Sequence, residues 1–301
     1  MKVLMTGASG FIGNAVIEML NEQCISFVAI GRTCPDSVAE KNFIPVDLSK
    51  QTIASLTHVL EKTGCTHLLH LAWFVEPNHF WESPENIDWV AYSLTLFRAF
   101  HAAGGSVIVS SGSCAEYTSS KEVLSESFDK EPPSSLYGTA KLSLRNIAAS
   151  WAEKHNIDFR WARIFFAYGP SMPEAKLIPS LIRCLHYSEP VFSVNASDKR
   201  DFIYIDDIAT AMLCLLQTTR NGTFNVCNET AYSVFDILDE LHALTGFDVT
   251  EIKNIANKHT LNLPIVGRNE CLKEIGWQSQ YDLTSGLQQM VTAYKSPAAG
   301  I

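Results

Sequence analysis

Residues Met1 to Gly13, MKVLMTGASGFIG, decide how this sequence is read. Lys2 to Met5 is a short apolar run suited to a buried strand, and Gly7, Gly10 and Gly13 follow at a spacing of three. Asn14 to Leu20 continues as an apolar segment compatible with a helix. A strand that turns sharply into a helix leaves the first helical N–H groups unpaired and aimed at one point, where an anion can sit. Glycine lets the backbone turn tightly, lets a diphosphate approach the main chain, and lets the helix pack on the strand. The stretch predicts a dinucleotide-binding start to an α/β fold. A plain glycine turn between strand and helix is the competing reading.

At 301 residues the chain can bury a large core, as one extended domain or as a domain with a smaller lobe. Hydrophobic content of 47% and charged content of 18% describe an ordinary globular protein. The net charge of −9 and the lack of a basic run argue against a nucleic-acid surface, while leaving room for a local cationic pocket. Eight scattered cysteines with no CxxC pair suit reduced thiols in a cytoplasm, and nine histidines form no HExxH, so no metal is expected. Gly7, Ser9, Gly10, Gly13, Asn14 and Glu18 interrupt anything resembling a secretory signal, and no run approaches a membrane span of ~18 apolar residues.

In order, the pattern predicts strands at Ile25–Ile30, Phe43–Val46 and Thr66–Leu71, with a helix at Thr52–Lys62. A long helix over Ile87–Ala103 stops at Gly104-Gly105, and a strand at Ser106–Ser110 follows. Ser134–His155 reads as a helix and Phe159–Phe166 as a strand. This alternation means a doubly wound parallel sheet of the Rossmann type, with ligands at the carboxyl ends of the strands. After Phe166 the prolines come closer together, and helices are expected at Ile205–Gln217 and Ser233–Thr245. We read residues 1–166 as a dinucleotide-binding domain and 167–301 as a smaller α/β substrate lobe, part of which returns to the sheet.

Three constellations carry chemistry. In Tyr137-Gly138-Thr139-Ala140-Lys141, a spacing of four puts phenol and ammonium on one helical face. A neighbouring cation would favour phenolate and lower the phenol pKa from about 10, making Tyr137 a general acid or base. Ser110-Ser111-Gly112-Ser113-Cys114-Ala115-Glu116-Tyr117 follows a strand, so a serine there can meet a substrate oxygen, or can simply build a turn. In Arg200-Asp201-Phe202-Ile203-Tyr204-Ile205-Asp206-Asp207, an aspartate at 206 or 207 is expected to cap the next helix, and Arg200 can clamp a diphosphate with its planar fork.

Taken together, TGASGFIG at 6–13, Asp47-Leu48, HLA at 70–72, SSGSCAEY at 110–117, YGTAK at 137–141, RIFFAYGP at 163–170, RDFIYIDD at 200–207 and Gly276-Trp277 resemble the extended short-chain dehydrogenase/reductases. The likeness is to their branch of NAD(P)-dependent nucleotide-sugar epimerases, dehydratases and reductases. It implies that Gly7, Gly10 and Gly13, with Phe11 and Ile12 between them, hold the dinucleotide. Asp47 and Leu48 would lie beside the adenine and Leu71-Ala72 along the cofactor. Tyr137 would be the acid/base, Lys141 would bind the nicotinamide ribose, and Ser113 would take the place of the catalytic serine or threonine. Arg200 falls where an arginine often binds the sugar nucleotide's phosphates. A homodimer through helices at 86–103 and 134–155 is also implied.

Departures from the family pattern narrow the reaction. Its 4,6-dehydratases carry Thr-Asp-Glu where this chain has Ser113-Cys114-Ala115, so elimination of water lacks its usual acid/base pair. Phe166 stands in place of the asparagine of Asn-x-Tyr-Gly-Pro, and Trp89 in place of another asparagine. Cys114 and Phe166 thus join Trp73 as substrate-binding candidates. Trp73, Phe74, Phe80 and Trp81 form an aromatic loop that could wall the substrate pocket, pack in the core, or meet a second subunit. NAD-selective sites place an acid at the end of the second strand, but this chain reads Ala29-Ile30-Gly31-Arg32-Thr33. Arg32 and Thr33 can meet a 2′-phosphate, which favours NADP over NAD. The leading expectation is NADPH-dependent reduction of a keto group on a nucleotide-activated deoxysugar, most plausibly a 4-keto-6-deoxyhexose. An epimerase with tightly held NAD(P) and a non-catalytic dinucleotide sensor are the alternatives.

Overall fold

Seven short apolar segments line up as one parallel sheet in the computed structural model, which describes residues 1–77, 79–117, 123–127, 133–187, 189–190, 192, 194–257 and 263–295. In chain order these and the helices between them are β1 (Val3–Thr6), α1 (Phe11–Glu22), β2 (Phe27–Gly31), β3 (Phe43–Pro45), α2 (Ile53–Glu61), β4 (His67–His70), α3 (Glu85–Ala102), β5 (Val107–Ser113), α4 (Leu136–Lys154) and β6 (Asp158–Ile164). The remainder is β7 (Phe166–Tyr168), α5 (Leu177–Tyr187), β8 (Arg200–Tyr204), α6 (Ile205–Gln217), β9 (Gly222–Val226), β10 (Ala231–Tyr232), α7 (Val234–Thr245), α8 (Thr250–Ile255), α9 (Glu270–Glu274) and α10 (Leu283–Lys295). The sheet order is β3-β2-β1-β4-β5-β6-β9, which reverses direction beside β1 and opens a crevice there.

Three helices start at side-chain caps. Thr52 and Ser55 form a reciprocal capping box ahead of α2, Ser135 accepts the Gly138 N–H at the start of α4, and Ser233 and Asp236 box the start of α7. Helix α1 buries Gly13, Val16, Ile17 and Leu20, a stripe at helical spacing, against one face of the sheet. That face also carries α6, whereas Leu96, Phe97 and Phe100 of α3 and Leu144 and Ala148 of α4 pack on the other. Among the described residues no helix is long and apolar enough to cross a membrane, and none of the eight cysteines forms a disulfide.

Three details differ from the expectation. The serine-rich stretch is strand rather than turn, because β6 pairs with β5 as far as Ser113 opposite Ile164. The strand expected through Phe166 breaks after Ile164, and β7 leaves for a second, three-stranded sheet of order β10-β8-β7. Neither Asp206 nor Asp207 caps α6; its N-cap is Tyr204, with no side-chain cap bond. The Asp207 carboxylate instead accepts the N–H groups of Gln280 and Tyr281 at 2.8 and 3.1 Å, fastening the C-terminal segment to the lobe.

Asp201 makes a similar tie at the edge of the small sheet. Its two oxygens take the N–H groups of Asn228 and Gly267 at 2.8 and 3.1 Å, and burial pushes its pKa up to about 7. Cutting the Asp207 tie leaves two amides without acceptors in a partly buried segment. Asp207→Ala should therefore lower unfolding free energy by about 2–4 kcal/mol in urea titration, with Asp206→Ala far milder. Equal, small effects from both substitutions would remove Asp207 from this role.

Candidate active site

The turn between β1 and α1 is built by contact too close for side chains. Gly7 has φ +76°, and a Cβ there would lie 2.7 Å from the Ala72 nitrogen and 2.8 Å from the Leu71 carbonyl carbon. At Gly13 a Cβ would come within 2.1 Å of the Gly7 oxygen, so the first helical turn rests on the main chain of the loop. The N-cap is Gly10, with no side chain to satisfy the first N–H groups, and those of Phe11 and Ile12 have no acceptor inside the helix. Gly7, Ala8, Ser9, Ile30, Gly31, Arg32, Thr33 and Phe43 line a cleft in front of this turn. These features fit a dinucleotide: the cradle admits backbone only, and its free donors suit a diphosphate.

Arg32 and Thr33 are exposed at the cleft, and no carboxylate is among its lining residues. Asp47 and Leu48 are not in that lining. Asp47 accepts from the Ser49 hydroxyl at 2.7 Å and the Ser49 N–H at 3.1 Å, which holds its pKa below the ordinary carboxylate value. Leu71 and Ala72 are fixed by Thr6: its carbonyl accepts the Leu71 N–H at 3.3 Å and its hydroxyl the Ala72 N–H at 3.2 Å. Beneath them His70 bridges the hydroxyls of Thr6 (2.7 Å) and Ser93 (2.9 Å). Burial, with Lys141 nearby, pulls the His70 pKa down to about 3, so its imidazole is neutral at physiological pH.

At the far end of the crevice, β5 and α4 bring Ser113, Tyr137 and Lys141 together. The Ser113 side chain lies near enough to the Tyr137 phenol to favour its ionised form, and it accepts the Ala115 N–H at 3.2 Å. Lys141 donates from Nζ to the Ser111 carbonyl at 2.9 Å and stands 3.9 Å from the centre of the Trp73 ring. Burial raises the Tyr137 pKa well above 10 and lowers that of Lys141 to about 7. This corrects the expectation that Lys141 acidifies the phenol. Lys141 is turned toward a carbonyl and an indole, and desolvation sets the direction of the shift at Tyr137.

Aromatic side chains surround the phenol. Phe80, Trp81 and Trp73 have ring centres 5.0, 5.8 and 6.5 Å from that of Tyr137, all nearly perpendicular to it. The Trp81 carbonyl accepts the Tyr137 N–H at 2.9 Å, and Trp73 donates from Nε1 to Asn86 at 2.9 Å. Trp89 lies 6.0 Å from Trp73, completing the cluster. Phe166 and Arg200 come together on the small sheet, the guanidinium 5.7 Å from the ring centre and 3.3 Å from Asp198. Cys114 is buried, its thiol pushed up to about 12 by desolvation, with Asp201, Glu116 and Arg200 in its electrostatic surroundings.

Sequence reasoning passed over one group. Glu116 is buried, and its carboxylate accepts from the Ser113 N–H (2.8 Å), Trp161 Nε1 (2.9 Å) and Arg163 Nε (2.8 Å). The available signal was a pair of opposite charges placed in otherwise apolar stretches, at Ala115-Glu116-Tyr117 and Ala162-Arg163-Ile164.

The description of the NAD-dependent epimerase/dehydratase family matches residues 3–227. The chain belongs to that family. It is an NAD(P)-dependent enzyme of the extended short-chain dehydrogenase/reductase type. It is 25% identical to the CDP-abequose synthase of Salmonella typhimurium, over 96% of this chain and 97% of that protein. It is 24% identical to a dTDP-4-dehydro-6-deoxyglucose reductase of Escherichia coli, over 97% of each. The UDP-glucose 4-epimerase of Thermotoga maritima superposes with a TM-score of 0.83 at 21% identity, covering 98% of this chain and 99% of that one, and shares the fold.

The Lys141 environment makes stability depend on pH. Its native pKa of about 7 lies below the ordinary 10.5. Between those values the unfolded chain holds a proton that the native chain has released, so this group's contribution to stability rises with pH across that window. Urea unfolding of the ligand-free protein from about pH 6.5 to 9.5 should show a smaller rise in Lys141→Met than in wild type. The same slope in both would mean that Lys141 titrates as a solvated lysine.

Proposed function

We propose that this protein reduces a keto group on a nucleotide-activated deoxysugar with NADPH, a 4-keto-6-deoxyhexose being the first substrate to try. The observation that carries the reading is the cleft beside Gly7, where Arg32 and Thr33 are exposed and no carboxylate stands ready for a ribose 2′-hydroxyl. Tyr137, buried and protonated beside Ser113, is in the state that a proton donor to a ketone requires. The names of the Salmonella synthase and the Escherichia coli reductase point to the same substrate class.

When bound, the dinucleotide supplies the hydride. In this reading Gly7, Gly10, Phe11, Ile12 and Gly13 hold its diphosphate, Arg32 and Thr33 meet the 2′-phosphate, Asp47 and Leu48 flank the adenine, and Leu71-Ala72 runs along it. Tyr137 would deliver its phenolic proton to the carbonyl oxygen as alkoxide charge develops there, and Ser113 would hydrogen-bond that oxygen. Lys141, with N–H groups beyond the one on Ser111, orients the ribose and offsets the charge left on the phenol. Arg200 takes the sugar nucleotide's phosphates, while Trp73, Cys114 and Phe166 wall the sugar. Cys114-Ala115 offers no acid/base pair for dehydration.

The proposal assigns residues 1–166 to the dinucleotide and 167–301 to the substrate, in a cytoplasmic homodimer. Ile87 on α3 and Ile147 on α4 are exposed apolar positions that a second copy would cover.

The test is oxidation of NADPH and of NADH with a panel of nucleotide-linked 4-keto-6-deoxysugars. Stoichiometric oxidation that prefers NADPH supports the reading, and Arg32→Ala should erode the preference by roughly 10–100-fold. Tyr137→Phe should cost about 10²–10⁴ in kcat with dinucleotide binding kept. Sugars that change configuration without net oxidation would install the epimerase reading instead. Binding without turnover would leave a sensor.

A further inference from the structure

A fully buried carboxylate in contact with the main chain of a catalytic candidate is not explained by the fold alone. Glu116 and Arg163 both have side chains at 0% exposure, and their ion pair spans 2.8 Å. Space for the carboxylate exists because residue 112 is glycine: a Cβ there would lie 2.1 Å from Trp161 Nε1 and 2.4 Å from Glu116 Oε1. The turn at 114–116 then rests on α4, where a Cβ at Gly138 would meet the Ala115 oxygen at 2.1 Å. Glu116 therefore ties the end of β5 and the turn after it to Trp161 and Arg163 of β6, while that turn packs on the start of α4. Its carboxylate grips Ser113 from behind, through the backbone N–H at 2.8 Å, leaving the hydroxyl facing Tyr137.

We infer that Glu116 is a positioning residue for the active site: its buried carboxylate, held by Trp161 and Arg163, fixes the main chain of Ser113 beside Tyr137 and places a buried negative charge near the Tyr137–Lys141 pair. The inference rests on the proposed reduction, because a ketone reductase must begin its chemical step with Tyr137 protonated. Its negative charge works in the same direction on both groups, raising the pKa of Tyr137 and of Lys141.

Other charges around the pair come from every element that packs on it. Arg163 on β6 faces Glu116 and offsets part of its field, and Cys114 adds a buried neutral thiol from the same turn. Neutral His70 lies at the end of β4. From the loop before α3, Glu82 accepts the Leu136 N–H at 3.3 Å, and Lys176 stands 5.9 Å from the Phe80 ring. Glu116 is fully buried, whereas Glu82 is exposed.

The test needs no substrate in its first arm. Lys141 carries a ¹³Cε resonance, assigned by its loss in Lys141→Arg, that can be titrated in the whole protein. In wild type its midpoint should fall near 7, and in Glu116→Gln about one pH unit lower. An unchanged midpoint with only a lower Tm would make Glu116 a structural residue and overturn the inference. Should the single variant fail to fold because Arg163 is left unpaired, the double variant Glu116→Gln/Arg163→Met, which leaves no orphaned charge, takes its place.

The second arm is the pH profile of kcat/KM for NADPH-dependent reduction. Its alkaline limb should move to lower pH in Glu116→Gln, since less pH is needed to strip the Tyr137 proton. Activity in wild type with no movement of that limb contradicts the inference. Silence of wild type on the sugar panel strikes the proposed reaction, while the Lys141 titration still decides the role of Glu116.

Discussion

The structure depends on one corner where three segments meet with no side chain between them. The Gly7 main chain lies against Leu71 and Ala72 at the end of β4, and Gly13 of α1 lies against the Gly7 oxygen. A methyl group at either glycine would overlap backbone, and backbone held on both sides by sheet and helix has no easy way to yield. This contact sets the angle at which α1 leaves β1 and presents its uncapped N–H groups to the cleft. It also places β4 beside β1, so that Thr6 can fix residues 70–72 through the His70 bridge. The cofactor end of the crevice follows from this one steric condition.

At the other end of the crevice the controlling quantity is desolvation. Burial pushes the Tyr137 phenol up and the Lys141 ammonium down, so both move away from the charged form. Aromatic rings from residues 73–81 provide that dry surrounding, and Lys141 over Trp73 recovers part of what it loses from water. Glu116 opposes that shift at Lys141 and adds to it at Tyr137. It is itself buried, and Arg163, Trp161 and the Ser113 amide together satisfy its carboxylate. Without those donors the charge would be too costly to keep there.

Much of this was legible from the sequence because the informative residues were local. The glycine spacing at 7, 10 and 13 encodes the turn, and Tyr137 and Lys141 share a helix, so their proximity needs only helical geometry. The alternation of strands and helices gave the parallel sheet, though not the order of its strands. Long-range partners were invisible. Where β5 ends depends on β6 running beside it to Ile164, which no feature of Ser110–Ser113 reveals. Asp207 looked like a helix cap because aspartate at a helix start usually is one, yet its acceptors were spent on Gln280 and Tyr281, some seventy residues away. Glu116 and Arg163 are 47 positions apart, and their pairing needs the fold. The effect of Lys141 on Tyr137 was misjudged for a related reason: spacing predicts nearness, whereas burial, which decided the direction, is a property of the packed whole.

The central claim is that the glycine corner and the Ser113–Tyr137 pair serve one hydride transfer to a sugar carbonyl. The direct measurement is isotopic: NADPH deuterated at the transferable position of the nicotinamide, incubated with a nucleotide-linked 4-keto-6-deoxyhexose, and the product sugar read by mass spectrometry and NMR. The account predicts one deuterium per product, at the former carbonyl carbon, with an equal amount of NADP⁺ formed. Product sugar free of deuterium, with the label still on the dinucleotide, would contradict it.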